Sequence, residues 1–445
     1  MYKTEKSRHK KSRHRKPKMR RRLIFAGVAA LILAVVVLVL SLSSAHEAPE
    51  ETTQAQTVSE TTAETTPETT AVYVAGEATI GVTGDILIHN PVLKAAIQSD
   101  GSYDFSSMFE AISPYWQEVD YMIVNLEVTI SESGSYSGYP MFRSPASIIE
   151  ALSDAGVDCL LTANNHSYDG YESGMLYTIE TIEAAGLDYT GTRSSSDESY
   201  VLIKNINGIV FGMVCYTYDT RSSADDRKSL NGNAMSDSAE DLVNSFCYSD
   251  LESLYESVKE DLEQMELSGC DVSMVFIHWG TEYEDNANDT QTEIAQELSD
   301  LGVDVIVGGH PHVIQEFDVL TGESGNETLV LYSTGNALSN QRRDRISSEP
   351  DGYTEDGLTI EFTYIKYSDG EVELSEVYIL PTWVEKNDDD FIIVPLDYTL
   401  DTSLWSTSLL SDAIDSYNRT IERLGGIYPA LRNSLGNDEV SESIG

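Results

Sequence analysis

The sequence predicts an α/β domain carried behind one membrane-spanning helix. Three observations lead there: short apolar runs recur from about Tyr73 onward, stretches with helical spacing lie between several of them, and twenty uncharged residues precede the whole. Apolar runs that are continuous rather than alternating mark strands buried on both faces. Strands that take turns with helices mark an α/β domain.

The N-terminal elements are distinguished by charge. Residues 1–22 hold twelve Lys or Arg against one acid, Glu5, a formal +11; setting them aside from the chain's −46 leaves −57 for residues 23–445. Residues 23–42 carry no charge, and their only polar member is Ser41. At a rise of about 1.5 Å per residue they span roughly 30 Å, the hydrocarbon core of a bilayer. Lys and Arg flanks stay cytoplasmic, so Arg20, Arg21 and Arg22 predict a single-pass protein of the cell membrane, its N-terminus cytoplasmic and its C-terminal domain extracellular. A signal peptide cleaved near Ser43-Ser44-Ala45 is the alternative, but the apolar run exceeds the usual length of about 7–15 residues. The position of the basic tail against the span points to the cytoplasmic membrane as its partner, not nucleic acid.

Residues 43–72 are rich in Glu and Thr and poor in large apolar side chains, a composition that predicts a disordered linker. The domain proper is expected over 73–430, with a flexible C-terminus over 431–445. Its predicted strands are the runs at 78–85, 121–127, 157–166, 209–218, 271–280, 303–312 and 328–336, and its predicted helices are 147–155, 252–267 and 292–301. After Gly357 the pattern LTIEFTYIKYSDGEVELSEVYIL predicts a hairpin turning at Asp369-Gly370, and 412–424 predicts a closing helix. The polar stretch 220–249 lacks a period and reads as a surface excursion. The four cysteines show no CxxC spacing; Cys159 and Cys215 lie in apolar runs as buried thiols, and pairing is left open.

The chemistry is concentrated at strand ends. Of eight histidines, His9, His14 and His46 lie in the tail or linker, leaving His89, His166, His278, His310 and His312. Four of these fall at or near the C-terminal end of an apolar run, together with Asp85, Asn125, Glu127, Asn164 and Asn165. Ligands bind at that edge of an open α/β sheet, and imidazole, carboxylate and carboxamide groups meeting there suit Zn, Mn or Fe. His310-Pro311-His312, preceded by Gly308-Gly309, carries the strongest signal, because glycines permit close backbone approach. Glu282 follows His278 in HWGTE, and Arg143 in FRSP is either an anion clamp or one half of a surface ion pair.

The ordered motifs VTGDILI, VNLEVTI, FRSP, LLTANNHSYDGY, IHWGTEY, GGHPHVIQ and YSTGNALSNQ resemble those of the CapA family over about residues 77–385. These are capsule or poly-γ-glutamate synthesis proteins of the metallophosphatase, or calcineurin-like phosphoesterase, superfamily. The resemblance implies a four-layer α/β/β/α sandwich with one or two divalent metal ions between the strand ends. It implies Asp85, Glu127, Asn165, His278, His310 and His312 as metal ligands and His166 as the catalytic residue; His89, Arg143, Asn164 and Glu282 are expected on the substrate side. Two departures stand out. The family's superfamily opens with Asp-x-His, whereas Asp85 is followed by Ile86 and Leu87, so a ligand is missing unless His89 swings in; and Glu127 stands where a shorter Asp bridges.

Three functions fit these readings: a capsule or poly-γ-glutamate biosynthesis, export or anchoring factor with a metal-dependent hydrolase-like site, an extracellular phosphoesterase, and an inactive polymer-binding or assembly module. No GxxxxGK loop occurs, so polymer synthesis would fall to an ATP-using partner in a synthase complex, as the resemblance implies. A domain near −57 should repel an anionic polymer at low salt.

Overall fold

The computed structural model describes residues 71–221, 227–387, 390–397 and 407–425, and of Thr407 and Ser408 the backbone only. The predicted basic tail, membrane span, C-terminal segment and all but the last residues of the linker lie outside these. Among the described residues no helix is long and apolar enough to cross a membrane.

The apolar runs form the strands, and their residues divide by parity between two hydrophobic layers. Ile80, Val82, Ile123 and Leu161 face inward against Phe211, Met213, Met274 and Phe276. Met122, Val124 and Leu160 face the other way, onto Ile148, Ile149 and Leu152 of the helix Ser147–Ala155. On the far side, Val275, Ile277 and Ile306 pack with Leu254 and Val258 of the helix Leu251–Leu267 and with Ile294 and Leu298 of Asp289–Leu301. The result is helices, sheet, sheet, helices, which is why the runs are apolar at every position.

The first sheet has the order Phe391–Pro395, Val372–Lys386, Asp356–Tyr367, Val74–Ile86, Tyr121–Leu126, Cys159–Leu161, Asp188–Thr190, with Asn336–Leu338 also paired to Val74–Ile86. From Val74–Ile86 through Asp188–Thr190 neighbours run parallel, whereas the three strands on the other side are antiparallel. The second sheet is built around Ile209–Tyr218, Val272–His278, Val305–Gly309 and Glu327–Leu331, all mutually parallel, with Leu202–Ile206 and Phe317–Thr321 antiparallel to their neighbours. Parallel strands send all their C-terminal ends to one edge, so both sheets open onto the same side of the domain.

The predicted hairpin is present and long: Asp356–Tyr367 pairs with Val372–Lys386, and Gly370 turns at φ 97°. The closing helix, Thr407–Arg423, is held by Arg419, whose Nε and Nη2 donate to the buried Asp356 at 2.8 and 2.7 Å. One expectation is corrected. The described part of 220–249 is no surface excursion, because Leu230, Met235, Ala239 and Val243 are fully buried in the layer between the sheets. Its polar residues make short pairings and turns around these anchors, which hides the apolar pattern from a periodicity reading. All four cysteines are free thiols, with Cys159 and Cys215 buried.

Candidate metal centre

Asp85 lies in register with Asn125 on the neighbouring strand and with Asn336 on the other side. Glu127 is the first residue beyond Tyr121–Leu126, its amide bonded to Ile86 O. His278 ends its strand opposite Gly309, and His310 and His312 follow directly after Val305–Gly309. Two close approaches depend on glycine here: a Cβ on Gly308 would sit 2.1 Å from Tyr332 O, and one on Gly309 would sit 3.0 Å from Asp85 Oδ1. His310 and His312 are themselves left-handed, at φ 94° and 57°, and this backbone, not an extended one, sends both rings into one pocket. Strain of that kind collects at functional sites.

The side chains converge. Ligand atoms of Asp85, Glu127 and His278 lie within 4.8 Å of one another, as do those of Glu127, His310 and His312, all buried. His312 Nδ1 is 3.0 Å from Asp85 Oδ2, His278 Nε2 is 3.5 Å from Glu127 Oε1, and Asn165 Oδ1 is 3.1 Å from His278 Nε2. Both oxygens of Glu127 and Nδ1 of His310 are buried without a hydrogen-bond partner. Such orphaned acceptors are costly, and a cation shared at Glu127 would satisfy them. The set of carboxylate, imidazole and amide donors fits a divalent ion of the Zn, Mn or Fe kind.

Electrostatics follow from crowding. Burial alone would raise the Asp85 carboxyl, but its hydrogen bond and charge contact with His312, the charge of His278 and the Asn125 amide together hold it below the usual value. Burial alone would lower His312, yet the Glu127 charge and the Asp85 hydrogen bond and charge lift it to about 9. His310 is pushed well down by burial and by the neighbouring His278 and His312. Tyr218, whose hydroxyl is 3.2 Å from His310 Nε2, was not singled out from the sequence.

Beside this cluster His166 forms a pair with Asp169, Nδ1 to Oδ2 at 2.7 Å. Asp169 is fully buried and also accepts from Phe142 N at 2.6 Å. Asn231, from the corrected 220–249 segment, donates to Asp169 Oδ1 at 3.0 Å and Pro140 O at 2.7 Å, which brings its Nδ2 to 3.3 Å from His166 Nδ1. Sequence reasoning named His166 but missed Asp169 three residues on; the signal was the carboxylate in NNHSYD.

The remaining candidates are arranged differently. Asn164 is completely buried and acts as a strut, donating to Leu126 O and Asn125 Oδ1 and accepting from His166 N. His89 stands outside both ligand groups: Nδ1 accepts from Asn340 N at 3.2 Å, and the ring meets the edge of Phe142 5.0 Å away. Burial and the charges of His312 and His166 bring it down to about 4, against a smaller opposing effect of the Leu87 contact. Ile86 and Leu87 are buried in the outer apolar layer, so the position of the missing ligand holds hydrocarbon. Glu282 is exposed near the rim, where its charge bears on Tyr218 and His312. Arg143 is neither in the cluster nor in an ion pair among the described residues. Its Nε donates to Asp169 O at 3.1 Å, and its guanidinium lies 5.7 Å from the Tyr171 ring.

Two facing sheets whose parallel strands deliver buried imidazoles and carboxylates to one edge define an α/β protein with a potential metal-binding centre. The chain belongs to the family described as bacterial capsule synthesis protein PGA_cap, whose profile matches residues 79–341. It is similar to the capsule biosynthesis protein CapA of Bacillus anthracis, 27% identical over 269 residues that make up 59% of this chain and 60% of that protein. It is also similar to the PGA biosynthesis protein CapA of Bacillus subtilis (strain 168), 25% identical over 301 residues, 66% of this chain and 70% of that one. The match thus spans three-fifths of the first relative's length. Among solved structures, purple acid phosphatase PPD1 from yellow lupin (Lupinus luteus) seeds is matched with TM-score 0.26 and 14% identity, over 58% of this chain and 52% of that one; a likeness of that size carries no argument.

Proposed function

We propose that this protein is a membrane-anchored, extracellular factor in the synthesis, export or anchoring of a poly-γ-glutamate-like capsule polymer, with a metal-dependent hydrolytic site on a metallophosphoesterase-like sandwich. Family membership supports the capsule role, and the basic tail and apolar span at the N-terminus support the anchoring. One observation carries the metal site: Glu127, fully buried, has two oxygens without a hydrogen-bond partner while His278 and His312 aim ring nitrogens at it from 3.5 and 3.9 Å. One or two ions would be held by Asp85, Glu127, Asn165, His278, His310 and His312.

A bound divalent ion supplies an activated water and polarises the bond under attack. The chain's own residues do the rest. Asp169 fixes the His166 ring through Nδ1 and leaves Nε2 to deliver a proton to a leaving group. Asn164 orients both His166 and the adjoining strand end, and the Phe142 ring, edge-on 4.7 Å from that of His166, shields it from water. Divalent cations at this edge would also reconcile an acidic domain with an anionic polymer.

The His166–Asp169 pair favours a second reading, a phosphoesterase acting on an extracellular phosphate ester. The full-length chain loaded with Mn²⁺, Zn²⁺ or Fe²⁺ should bind or shorten poly-γ-glutamate and lose this on chelation and in the His310→Ala, His312→Ala double variant. Rapid turnover of p-nitrophenyl phosphate with no effect on the polymer would replace the first reading by the second.

A further inference from the structure

Behind the His166–Asp169 pair lies a separate cleft of about 270 Å³ with Arg143 in its wall. Its other walls carry the hydroxyls of Ser131, Ser133 and Ser173, the ring of Tyr171 and the carboxylate of Glu132. Among the described residues, Arg143 and Arg193 are the arginines with no ion pair, and the Nε and Nη1 of Arg193 are taken by the carbonyls of Asp241 and Glu198. Arg221, Arg227, Arg342, Arg343, Arg345, Arg419 and Arg423 each pair with a carboxylate, whereas Arg143 lines an open cleft without such a partner among the described residues.

Arg143 is also held ready. Its backbone pairs with Thr129 on one side and exchanges hydrogen bonds with Ser137 on the other, at 2.8 and 3.0 Å. Its side chain is steadied at Nε by the Asp169 carbonyl and over its face by Tyr171, which leaves both Nη groups for a planar oxyanion. Tyr171 is half-exposed and left-handed at φ 56°, an uncommon conformation for an aromatic residue, and it keeps the ring at the lip of the cleft. Asp169 joins the two places: its carboxylate holds His166 and its carbonyl holds Arg143.

We propose that the Arg143 cleft is a second subsite, one that grips a carboxylate of the anionic polymer while a neighbouring unit lies at the His166 edge. The inference rests on the polymer reading above and specifies it. A γ-linked glutamate chain offers one free α-carboxylate per unit, so a single oriented guanidinium can hold successive units in register. It also gives an acidic domain one place where a polyanion is attracted, with Glu132 across the cleft limiting how many charges enter.

The test is calorimetric titration of the metal-loaded full-length chain with a five-unit γ-glutamate oligomer, with the same oligomer amidated at its α-carboxyls, and with inorganic polyphosphate. Arg143→Gln, which keeps a donor for the Asp169 carbonyl, should weaken oligomer binding tenfold or more, while metal content and melting temperature stay those of the parent. Arg143→Lys should lie between, and the amidated oligomer should bind parent and variant alike. Equal oligomer affinity in parent and Arg143→Gln overturns the subsite and leaves the polymer reading standing. Polyphosphate bound more tightly than the oligomer through Arg143 overturns the carboxylate assignment. A parent chain that binds no oligomer removes the polymer reading, and the subsite with it.

Discussion

Glu127 Oε1 lies 3.9 Å from His312 Nε2 although the two residues leave different sheets, 185 positions apart in the chain. That single distance ties the centre to the fold: only the face-to-face packing of Ile80, Val82 and Ile123 against Phe276 and Met274 brings the two strand ends together. Anything that shifts one sheet over the other should disperse the centre before it unfolds the domain.

Glu127 is shared by both ligand groups, so its removal should matter most. Glu127→Gln is expected to cut metal affinity by at least ~100-fold, more than a change to any residue that only supports a ligand. Elemental analysis after dialysis against a weak chelator would read this directly, and full retention of metal would refute the shared role.

Metal uptake should depend on pH through His312. In the metal-free protein its imidazole stays protonated up to about 9, against an ordinary 6.5, and a protonated ring cannot ligate. Apparent affinity should therefore climb by up to about tenfold per pH unit toward 9, with proton release on binding. The sign for stability is opposite. A raised folded-state value stabilises the metal-free fold fully below about 6.5, and the contribution is lost as pH rises through about 9. Melting curves of chelated protein at the two ends of this window check it.

His166→Ala should reduce any hydrolytic turnover by roughly 10²- to 10⁴-fold, the usual range for a positioned proton donor. Asp169→Asn should fall part of the way, in kcat rather than in KM, because Asp169 orients the ring through Nδ1 without touching substrate. Metal content should not change in either variant. A kcat for Asp169→Asn equal to the parent's would remove its positioning role.

The C-terminal helix supplies a test of the fold alone. Arg419→Met leaves Asp356 buried beside Ser416 without its cation, a loss of about 3–5 kcal/mol for breaking a buried pair. A melting temperature within a degree of the parent would show that the helix is held by Leu409, Ala413 and Tyr417 packing on Trp383 and Leu396 instead.

Much of this was readable from residues in order. The strand 209–218 is apolar at nearly every position because its two faces meet two hydrophobic layers, and Ile209–Tyr218 forms with those bounds. The candidate ligands were readable because strand ends advertise themselves: Asp85, Glu127, His278 and the His310–His312 pair each close an apolar run. What stayed hidden has a common cause. Asp169, Asn231 and Tyr218 act through hydrogen bonds to partners brought up by tertiary structure, and no local period marks such a residue. His89 was read as a substrate-side residue, a ligand only if it swung in, and a contact with Asn340, 251 residues away, holds its Nδ1 outside both ligand groups. The membrane span, linker and tails remain sequence readings.

His310 and His312 occupy backbone conformations that glycine would accept with less effort. Durability and chemistry thus pull in opposite directions across three residues around Pro311. A surface kept only as a passive platform would have every reason to relax there, and one that must hold two imidazoles at fixed bearings would not. The turn is where engineering for heat resistance should be attempted last.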